Sequence, residues 1–407
     1  ILKGASADID GYYILTNLDP GEYQLNVSII GYGLYEELIT IGQENLRINI
    51  SLFPQAINLD EINVSSERTR FEEKVEISRI NITSEEIKMI PAFVESDVFR
   101  ALQYFPSVSS ANDFNAALIV RGGSPDENLI LLDGTQIYNP YHVGGIFSTF
   151  NADLISDTEF LAGGFPAEYG NRLSSVLSIT SKEGNSKDGR LPEKWKLKKY
   201  WDYNDIKADV SLLSSKISAQ GPIYKGSWIF TGRRTYFDKF VSAYNAMQGN
   251  DNPFTYYFWD THIKLKTALN QNSQILYSQF SGNDNLEINL GGDGFPEVDF
   301  DWGWGNSTNN ITWKFIPTSN YFVESKLSQT IYDFTVDFAI DFVTDSSIVN
   351  EEDNDEDLSS EDADLTFSVQ NLLKDISLEQ MLTYIYSEDL RFKVGWQYKV
   401  LYMDYKE

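Results

Sequence analysis

Cysteine is absent from the 407 residues, and histidine occurs only twice, at His142 and His262. Without thiols the chain forms no disulfide and no thiolate metal site, and it has no cysteine nucleophile. Two histidines far apart in the sequence also argue against a histidine-rich metal centre. The lack of cysteine fits an oxidising envelope compartment, although it does not define the compartment.

Basic residues are few compared with acidic ones. The chain has 32 Lys and Arg against 60 Asp and Glu, so its formal net charge is −28. A protein that binds nucleic acid through a basic patch has the opposite balance, so we expect no nucleic-acid partner. Apolar residues make up 42% of the chain, which is typical of folded protein.

Long apolar runs and common enzyme motifs are also missing. No run approaches the ~18 apolar residues of a membrane helix. The sequence has no nucleophile elbow, P-loop, dinucleotide fingerprint or zincin helix. No signal peptide precedes Ile1, and the chain begins inside a domain, so we expect a longer protein. The sequence therefore predicts no enzyme, no catalytic residue and no bound cofactor.

Aromatic residues are abundant, with 24 Tyr, 25 Phe and 8 Trp. From about residue 205, long segments alternate between apolar and polar residues and predict about nine antiparallel strands. In Leu390–Tyr402 every second residue is apolar, and Arg391, Lys393 and Lys399 lie between them. An apolar outer face with a charged inner face is the pattern of a transmembrane β-barrel. A soluble β-sandwich, which also has period two, is the alternative.

The alternation reverses within one of these segments. Leu327 and Ile331 occupy odd-numbered positions, whereas the following apolar residues occupy even-numbered ones, at Phe334, Val336 and Phe338. A reversal predicts either a β-bulge or a strand that leaves the membrane band.

Two segments are candidates for ligand binding. Residues 351–364 hold nine acids and no base. Asp353, Asp355 and Asp357 have calcium-ligand spacing, but the following residues do not fit an EF-hand, so a solvated loop and a surface Ca²⁺ cluster both stay open. A second loop is predicted at Gly291–Asp301, and the aromatic residues in or beside it would either stack on a sugar or peptide ligand or belong to an aromatic girdle: Phe300, Trp302 and Trp304.

Residues 1–185 lack these long alternating segments and predict shorter strands and helices. Residues 1–53 predict a small β-sandwich of short strands, including one over Leu46–Leu52, with its first strand missing. Thr83 and Glu86 predict a capping box at the start of a helix that stops before Pro91. Further strands of a mixed α/β unit are predicted at residues 117–121, 128–132, 158–161 and 175–180.

Several stretches resemble known domains. Asp10–Tyr13, Leu18–Tyr23 and Gly31-Tyr32 resemble the carboxypeptidase-regulatory-like sandwich. Ile119–Gly123 with Asn128–Gly134 looks like the plug domain of TonB-dependent outer-membrane receptors. The stretch Gly163–Val176 looks like the end of that plug, and its sequence is typical of Bacteroidota receptors. The order of sandwich, plug and barrel strands also matches, so the resemblance covers essentially the whole chain.

The resemblance implies a mainly β fold in four parts. These are a β-sandwich (1–53), a linker (54–70), an α/β plug (71–185) and the N-terminal strands of an antiparallel transmembrane barrel (186–407). A plugged barrel has roughly 22 strands, so nine cannot close around this plug, and we expect a truncated chain. The end of the plug departs from the form that pairs with a SusD-like lipoprotein, so such a partner is not favoured.

The implied function is import of a scarce nutrient across the outer membrane, with the N-terminal domain in the periplasm. The outer membrane lacks ATP, so the implied energy source is the TonB–ExbB–ExbD complex, which captures a short segment before the plug by strand addition. The matching TonB-box-like segment is Leu59, Asp60, Glu61, Ile62, Asn63, Val64 and Ser65. The other implied partners are a small nutrient ligand and outer-membrane lipid.

The resemblance also singles out the plug-motif residues Arg121, Gly122, Gly123, Asp133, Gly134, Gly163, Gly164, Tyr169, Gly170 and Arg172. A buried charge against a polar barrel wall must be paired or hydrated. The three charged motif residues would therefore latch the plug if they pair with the wall, and ordinary solvation at strand ends is the alternative.

Two other functions stay open. A non-transporting surface binding or adhesion protein of the same architecture would bind its ligand regardless of TonB. A signalling receptor ranks last, because it needs a different N-terminal domain. The sequence does not distinguish siderophores, glycans, peptides and vitamins as ligands.

Overall fold

The computed structural model describes residues 18–27, 35–42, 46–52, 79–90, 95–110, 115–184, 205–248, 254–270, 272–292, 295–318, 320–342, 363–386 and 390–407, with a few single or short stretches before residue 18 and at residue 112. Within these residues it has twenty strands and three α-helices. No helix among them is long and apolar enough to cross a membrane.

The N-terminal region contributes two antiparallel strands, β1 (Gly21–Val27) and β2 (Tyr35–Ile41), paired from Gly21 with Ile41 to Val27 with Tyr35. The expectation of a strand over Leu46–Leu52 is wrong, because this stretch is not in a strand and has no ladder partner among the residues that the structure describes. A single hydrogen bond, from the Tyr13 hydroxyl to the Ile48 carbonyl at 3.0 Å, ties it to the preceding chain.

The middle region is a mixed α/β unit. Its elements are β3 (Arg79–Thr83), α1 (Ser84–Met89), α2 (Val98–Leu102), β4 (Val108–Ser109), β5 (Ile119–Val120), β6 (Asn128–Leu132), β7 (Thr135–Gln136), β8 (Tyr141–His142), β9 (Phe147–Ser148), β10 (Ile155–Leu161) and β11 (Ser175–Ser181). Five strands form a mixed sheet in the order β3-β10-β11-β6-β7, in which β11 and β6 are parallel.

Local signals account for the two helices of this unit. Thr83 caps α1 in a reciprocal capping box with Glu86, as predicted, and the helix ends at Met89. The Asp97 side chain caps α2 by accepting from the Phe99 and Arg100 amides. The strand expected at 117–121 is only the two residues of β5, whereas β6 has its predicted bounds.

The third region is one antiparallel sheet of nine strands, called the wall below. Each strand pairs with the next along the chain: β12 (Asp205–Val210), β13 (Ser214–Ile223), β14 (Gly226–Thr235), β15 (Phe254–Asn270), β16 (Ser273–Gly292), β17 (Phe295–Thr318), β18 (Tyr321–Phe342), β19 (Ala363–Ile385) and β20 (Arg391–Lys406). Helix α3 (Phe237–Gln248) connects β14 to β15. Within the described residues, β12 and β20 are the two edges, so the sheet is not closed.

The two faces of the wall differ as the alternation predicts. On β15, Asp260, His262 and Lys264 are buried against the α/β unit, whereas Leu265 and Leu269 are exposed on the opposite face. We call the face toward the α/β unit the inner face and the opposite face the outer face. An outer face that is apolar and exposed beside a buried polar inner face is typical of a membrane barrel wall and not of a sandwich.

The reversal of alternation in β18 is not a bulge. The pairing of β18 with both neighbours is continuous from Val323 to Ile340. The strand therefore keeps its sidedness, and beyond Asp333 the apolar residues lie on the inner face and the acidic residues on the outer face. The end of the wall that carries this reversal, where β15 begins and β16 ends, is called the upper end below.

Candidate functional site

The candidate site is the interface between the α/β unit and the inner face of the wall. One apolar wall residue, Phe280, joins the core of the α/β unit and is 1% exposed. Most other cross-interface contacts are hydrogen bonds and ion pairs, which form two buried clusters and a third, more open group. A polar interface of this kind exchanges its bonds with water more readily than an apolar core does.

The first cluster surrounds Asp133 and is called the Asp133 cluster. Asp133 and Gly134 form the turn between β6 and β7, with φ of 49° and 72°, which is the conformation that an Asp-Gly hairpin turn favours. This turn aims the carboxylate at the wall. The Lys264 ammonium donates to it at 2.8 Å, and the Ser278 hydroxyl donates at 2.6 Å.

Further donors within the α/β unit complete this cluster. The backbone amide and hydroxyl of Ser181 donate to the Asp133 carboxylate at 3.0 and 2.6 Å. Burial on its own raises the pKa of Asp133, but Lys264 and the adjacent His262 outweigh burial and hold the pKa well below its ordinary range. Asp133 is therefore an anion at neutral pH, and its charge is balanced by the wall.

The second cluster surrounds His142 and is called the His142 cluster. The His142 ring is fully buried at the end of β8, and its Nδ1 lies 2.5 Å from Asp284 Oδ2. Its Nε2 lies 3.5 Å from Asp260 Oδ2. The ring stacks on Phe258 with centroids 4.0 Å apart. Arg233 donates to Asp260 at 2.7 Å and to the Ser148 carbonyl of the α/β unit at 3.1 Å.

Charges in the His142 cluster determine its protonation. Burial on its own lowers the pKa of His142, but the carboxylates of Asp284 and Asp260 raise it more strongly. The opposing charge of Arg233 is smaller, so the net effect is a pKa above the ordinary value for histidine. His142 lies between two carboxylates that belong to different strands of the wall, and these carboxylates favour its protonated form.

Glu95 extends the His142 cluster to the edge of the wall. Its carboxylate pairs with Lys216 at 2.9 Å and with Arg233 at 3.4 Å, and it accepts from the Ser214 hydroxyl. Burial raises the pKa of Glu95, but Arg233 and Lys216 outweigh burial and lower it. The α/β unit thus contributes an anion as well as a cation to this contact.

The third group of contacts lies near the other edge. The Tyr138 hydroxyl donates to Asp375 at 2.6 Å, and Lys399 pairs with the same carboxylate at 2.7 Å. Asn310 donates to Thr135 at 3.1 Å. Lys399 on β20 also donates to the Gln136 side chain at 3.1 Å. These bonds tie the α/β unit to β17, β19 and β20, so its contacts reach across most of the wall.

The structure separates the motif residues that the sequence singles out. Asp133 contacts the wall, whereas Arg172 donates to the carbonyls of Asn128 and Asn171 inside the α/β unit. Arg121 has a positive φ of 50° and lies beside Gly163. Tyr169 packs on the small core cluster of β6, β10 and β11. The remaining motif glycines lie in turns and other connections of the α/β unit: Gly122, Gly123, Gly134, Gly163, Gly164 and Gly170.

Two groups of predicted residues lie outside the described part of the chain. These are the TonB-box-like segment at 59–65 and the acidic residues Asp353, Asp355 and Asp357. Both stay predictions.

The loop expected over Gly291–Asp301 is wrong in its extent, because β16 continues to Gly292 and β17 begins at Phe295, so only residues 293–294 connect the two strands. The girdle interpretation of Trp304 is wrong as well. Trp304 is 4% exposed, points to the inner face and donates from Nε1 to the Tyr141 carbonyl at 3.1 Å. Strands β16 and β17 extend into the segment expected to be a loop, and their ladder places apolar residues side by side on the inner face.

Above the His142 cluster, the inner-facing positions of five strands are apolar or aromatic, apart from Asn371 opposite Phe334. We call this surface the upper inner patch. It consists of Phe254, Tyr256, Leu286, Ile288, Leu290, Val298, Phe300, Trp302, Phe334, Val336, Phe338, Ile340, Leu365, Phe367 and Val369.

The outer face at the same height is acidic. Glu287, Asp301 and Asp337 lie directly opposite one another on three neighbouring strands and are exposed. The wall thus has an apolar inner face and an acidic outer face at its upper end, the opposite of its lower part.

Residues missed by the sequence analysis carry most of the interface. His142 was considered there only as a metal ligand, and Asp284 and Arg233 were not considered. A signal was present, because charged residues at alternate positions of a strand with an otherwise apolar face need partners. The identity of those partners depends on contacts between residues more than 100 positions apart.

Family models match two parts of the chain. Residues 1–64 match a CarboxypepD_reg-like domain, and residues 72–175 match the TonB-dependent receptor plug domain. The α/β unit is a TonB-dependent receptor plug domain. Its polar interface with the wall is therefore a plug–wall interface. No curated protein sequence matches the chain.

Several solved structures superpose on much of this chain. The copper transporter OprC superposes with a TM-score of 0.53 at 14% identity, over 80% of this chain and 46% of that one. The outer membrane transporter YddB from Escherichia coli gives 0.48 at 9% identity, over 81% and 48%. The ferric yersiniabactin uptake receptor FyuA from Yersinia pestis gives 0.46 at 9% identity, over 81% and 61%.

The superposition on OprC, with a TM-score above 0.5, establishes the fold. That match covers 80% of the chain, so it extends over both the plug domain and the antiparallel sheet. The chain spans less than half the length of OprC.

Proposed function

We propose that this chain is part of an outer-membrane importer in which the plug domain gates a barrel and TonB supplies the work. The observation that carries the proposal is the plug–wall interface, where buried ion pairs from the Asp133 and His142 clusters hold the plug. In the closed state, these ion pairs hold the plug in one defined position against the wall. The interface is also able to rehydrate when pulled, because each broken bond is replaced by one to water.

The proposed direction of transport follows from the two ends of the wall. The longest connections, over 236–253 and 343–362, are at the upper end, whereas the opposite end has the short connections at 224–225, 271–272 and 319–320. Long extracellular loops and short periplasmic turns are the rule in outer-membrane barrels. The upper end would therefore face the outside, and the N-terminal domain would lie in the periplasm.

The proposed energy source is the TonB–ExbB–ExbD complex, which would grip Leu59–Ser65 as an added strand. Force along this segment reaches the plug through β3, which begins at Arg79 and pairs with β10 in the plug sheet. Outer-membrane lipid would cover the outer face, where Leu327, Leu378 and Tyr398 are exposed. The proposed cargo is a small nutrient.

Deletion of residues 59–65 tests the proposal. In cells that carry the full-length protein, we expect the deletion to abolish uptake, because TonB then has no strand to grip, and to leave ligand binding within about twofold. A matched control deletes seven residues of the acidic segment, 351–357, and is expected to retain TonB-dependent uptake. Uptake that persists without 59–65, or in cells without TonB, would instead support the surface-binding function.

A further inference from the structure

We propose that residues 181–184, at the C-terminal end of the plug, stay fixed to β14 and β15 during transport, so that the plug pivots about this end and does not leave the barrel. We call residues 181–184 the C-terminal clamp. The inference rests on the proposed import function and concerns how the plug moves. Its basis is a close approach of two backbones, the bonds beside it and the place where the pulling force enters.

Gly184 brings the backbone of the plug directly against the backbone of the wall. A Cβ atom on this residue would lie 2.3 Å from the Trp228 carbonyl oxygen and 2.6 Å from its carbonyl carbon, which is closer than real Cβ atoms come to other atoms. Its φ of 77° also favours glycine. Among the plug glycines that the structure describes, Gly184 is the one whose Cα lies this close to wall backbone. Only glycine allows this contact.

Three bonds from the wall hold the residues next to Gly184. The Ser227 hydroxyl donates to the Glu183 carbonyl at 2.8 Å, and Ser227 is 9% exposed. The Lys266 ammonium pairs with the Glu183 carboxylate. The Lys264 ammonium donates to the Ser181 carbonyl at 3.0 Å. The clamp is therefore bonded to two wall strands, β14 and β15.

The clamp is also bonded to the rest of the plug. Ser181 pairs with Ile155 at the end of the ladder between β10 and β11. The Lys182 amide donates to the Leu154 carbonyl at 2.8 Å, and the Lys182 ammonium donates to the Asp153 carbonyl at 2.8 Å. A wall that holds the clamp therefore holds this end of the plug sheet.

The pulling force would enter at the opposite end of the same sheet. Strand β3 pairs with β10 from Arg79 with Leu161 to Thr83 with Asp157, and this ladder does not reach Ile155. Leu161 and Ile155 are the two ends of β10, about 20 Å apart in an extended strand. Bonds near the pulled end are loaded first and those at the far end last. The clamp is therefore placed to act as a hinge.

Reactivity of a thiol at position 227 reports whether the clamp is closed. The 407 residues contain no cysteine, so Ser227→Cys puts one thiol beneath Glu183, and the parent protein treated identically gives the background. In the full-length protein in lipid nanodiscs, we expect Gly184→Ala to raise the rate of maleimide labelling of this thiol at least about tenfold, because the added methyl group collides with the Trp228 carbonyl.

Gly164→Ala is the matched control for this rate. Gly164 lies in the plug and also has a positive φ, of 65°, but a Cβ atom there would have nothing within 4 Å. The backbone strain of the two variants is therefore similar, and only Gly184→Ala adds a collision with the wall. We expect Gly164→Ala to leave the labelling rate within about twofold of that without it.

A cross-link in cells tests whether the clamp stays closed during transport. Glu183→Cys with Lys266→Cys, joined by a short thiol cross-linker, fixes the clamp. We expect uptake within about twofold of that of the same cells before treatment, because a hinge does not have to open. A cross-link between Thr135→Cys and Asn310→Cys, on β7 and β17, fixes a different part of the interface and is expected to stop uptake.

The inference is overturned if Gly184→Ala labels no faster than Gly164→Ala, or if the cross-linked clamp stops uptake. The cross-link keeps the test valid if Gly184→Ala does not fold, since it leaves Gly184 unchanged. Uptake stopped at the clamp would contradict the hinge and leave the deletion test of 59–65 intact. Conversely, TonB-independent uptake would contradict import and leave the labelling result standing, because labelling in nanodiscs needs no TonB.

Discussion

Lys264→Met is expected to loosen the plug by about 3–5 kcal/mol, because it leaves the Asp133 carboxylate buried without its cation. Asp133 and Lys264 are each at least nine-tenths buried, and their charged atoms are 2.8 Å apart. Methionine has similar length, so packing changes little. The measurement is the free energy of plug opening, taken from hydrogen exchange of β6 and β11 as a function of urea in the nanodisc-bound protein.

Two further variants show whether charge is the cause. Asp133→Asn combined with Lys264→Met removes both charges and is expected to recover most of the loss. Lys393→Met is the control: Lys393, on the wall, pairs with Glu168 of the plug, and both side chains are more exposed. Loss of this cation is expected to cost no more than about 1 kcal/mol. A loss below about 1 kcal/mol for Lys264→Met would contradict a role of this pair in holding the plug.

Plug retention is also expected to weaken as the pH rises, through His142. The pKa of His142 in the folded protein lies above its ordinary value, so its contribution is complete below about pH 6.5. The contribution is lost as the pH rises through the folded-state pKa, because the neutral ring no longer balances Asp284 and Asp260. The same exchange measurement on β8 and β9, made from pH 5.5 to 9, follows this loss.

His142→Gln is the matched variant, since glutamine keeps a polar group but does not titrate in this range. We expect the parent to be more firmly closed than His142→Gln at low pH, and the difference to shrink at high pH. Asp284→Asn removes the nearer carboxylate and is expected to shift the transition to lower pH. A difference between parent and His142→Gln that is constant with pH would show that His142 is not the titrating group.

The fold could be predicted in large part because it depends on local patterns. The capping box at Thr83, the Asp133-Gly134 turn and the alternation in Leu390–Tyr402 each follow from a few neighbouring residues. The alternation of long strands indicated a membrane wall, and the plug motifs indicated what lies against it. The loop expected over Gly291–Asp301 was too long, because glycine and aspartate signal the chain reversal but do not show how far the cross-strand ladder extends both strands.

The interface could not be predicted in the same way. For Asp133, pairing with the wall and solvation at a strand end were both open, and nothing local to Asp133 identifies Lys264, which lies 131 residues away. His142 shows the same limit, since its partners Asp260 and Asp284 come from two wall strands. The reversal at Phe334 was visible in the sequence, and only the unbroken register distinguished a strand that continues from a bulge.

The central claim is that the plug must move relative to the wall for transport, and a cross-link tests it most directly. The 407 residues contain no cysteine, so Thr135→Cys on the plug and Asn310→Cys on the wall place a thiol on each side of a 3.1 Å contact. Joined by a short thiol cross-linker in cells, this pair is expected to stop uptake, whereas each single variant treated with the same reagent keeps it. Full uptake with the plug completely cross-linked to the wall would contradict the account.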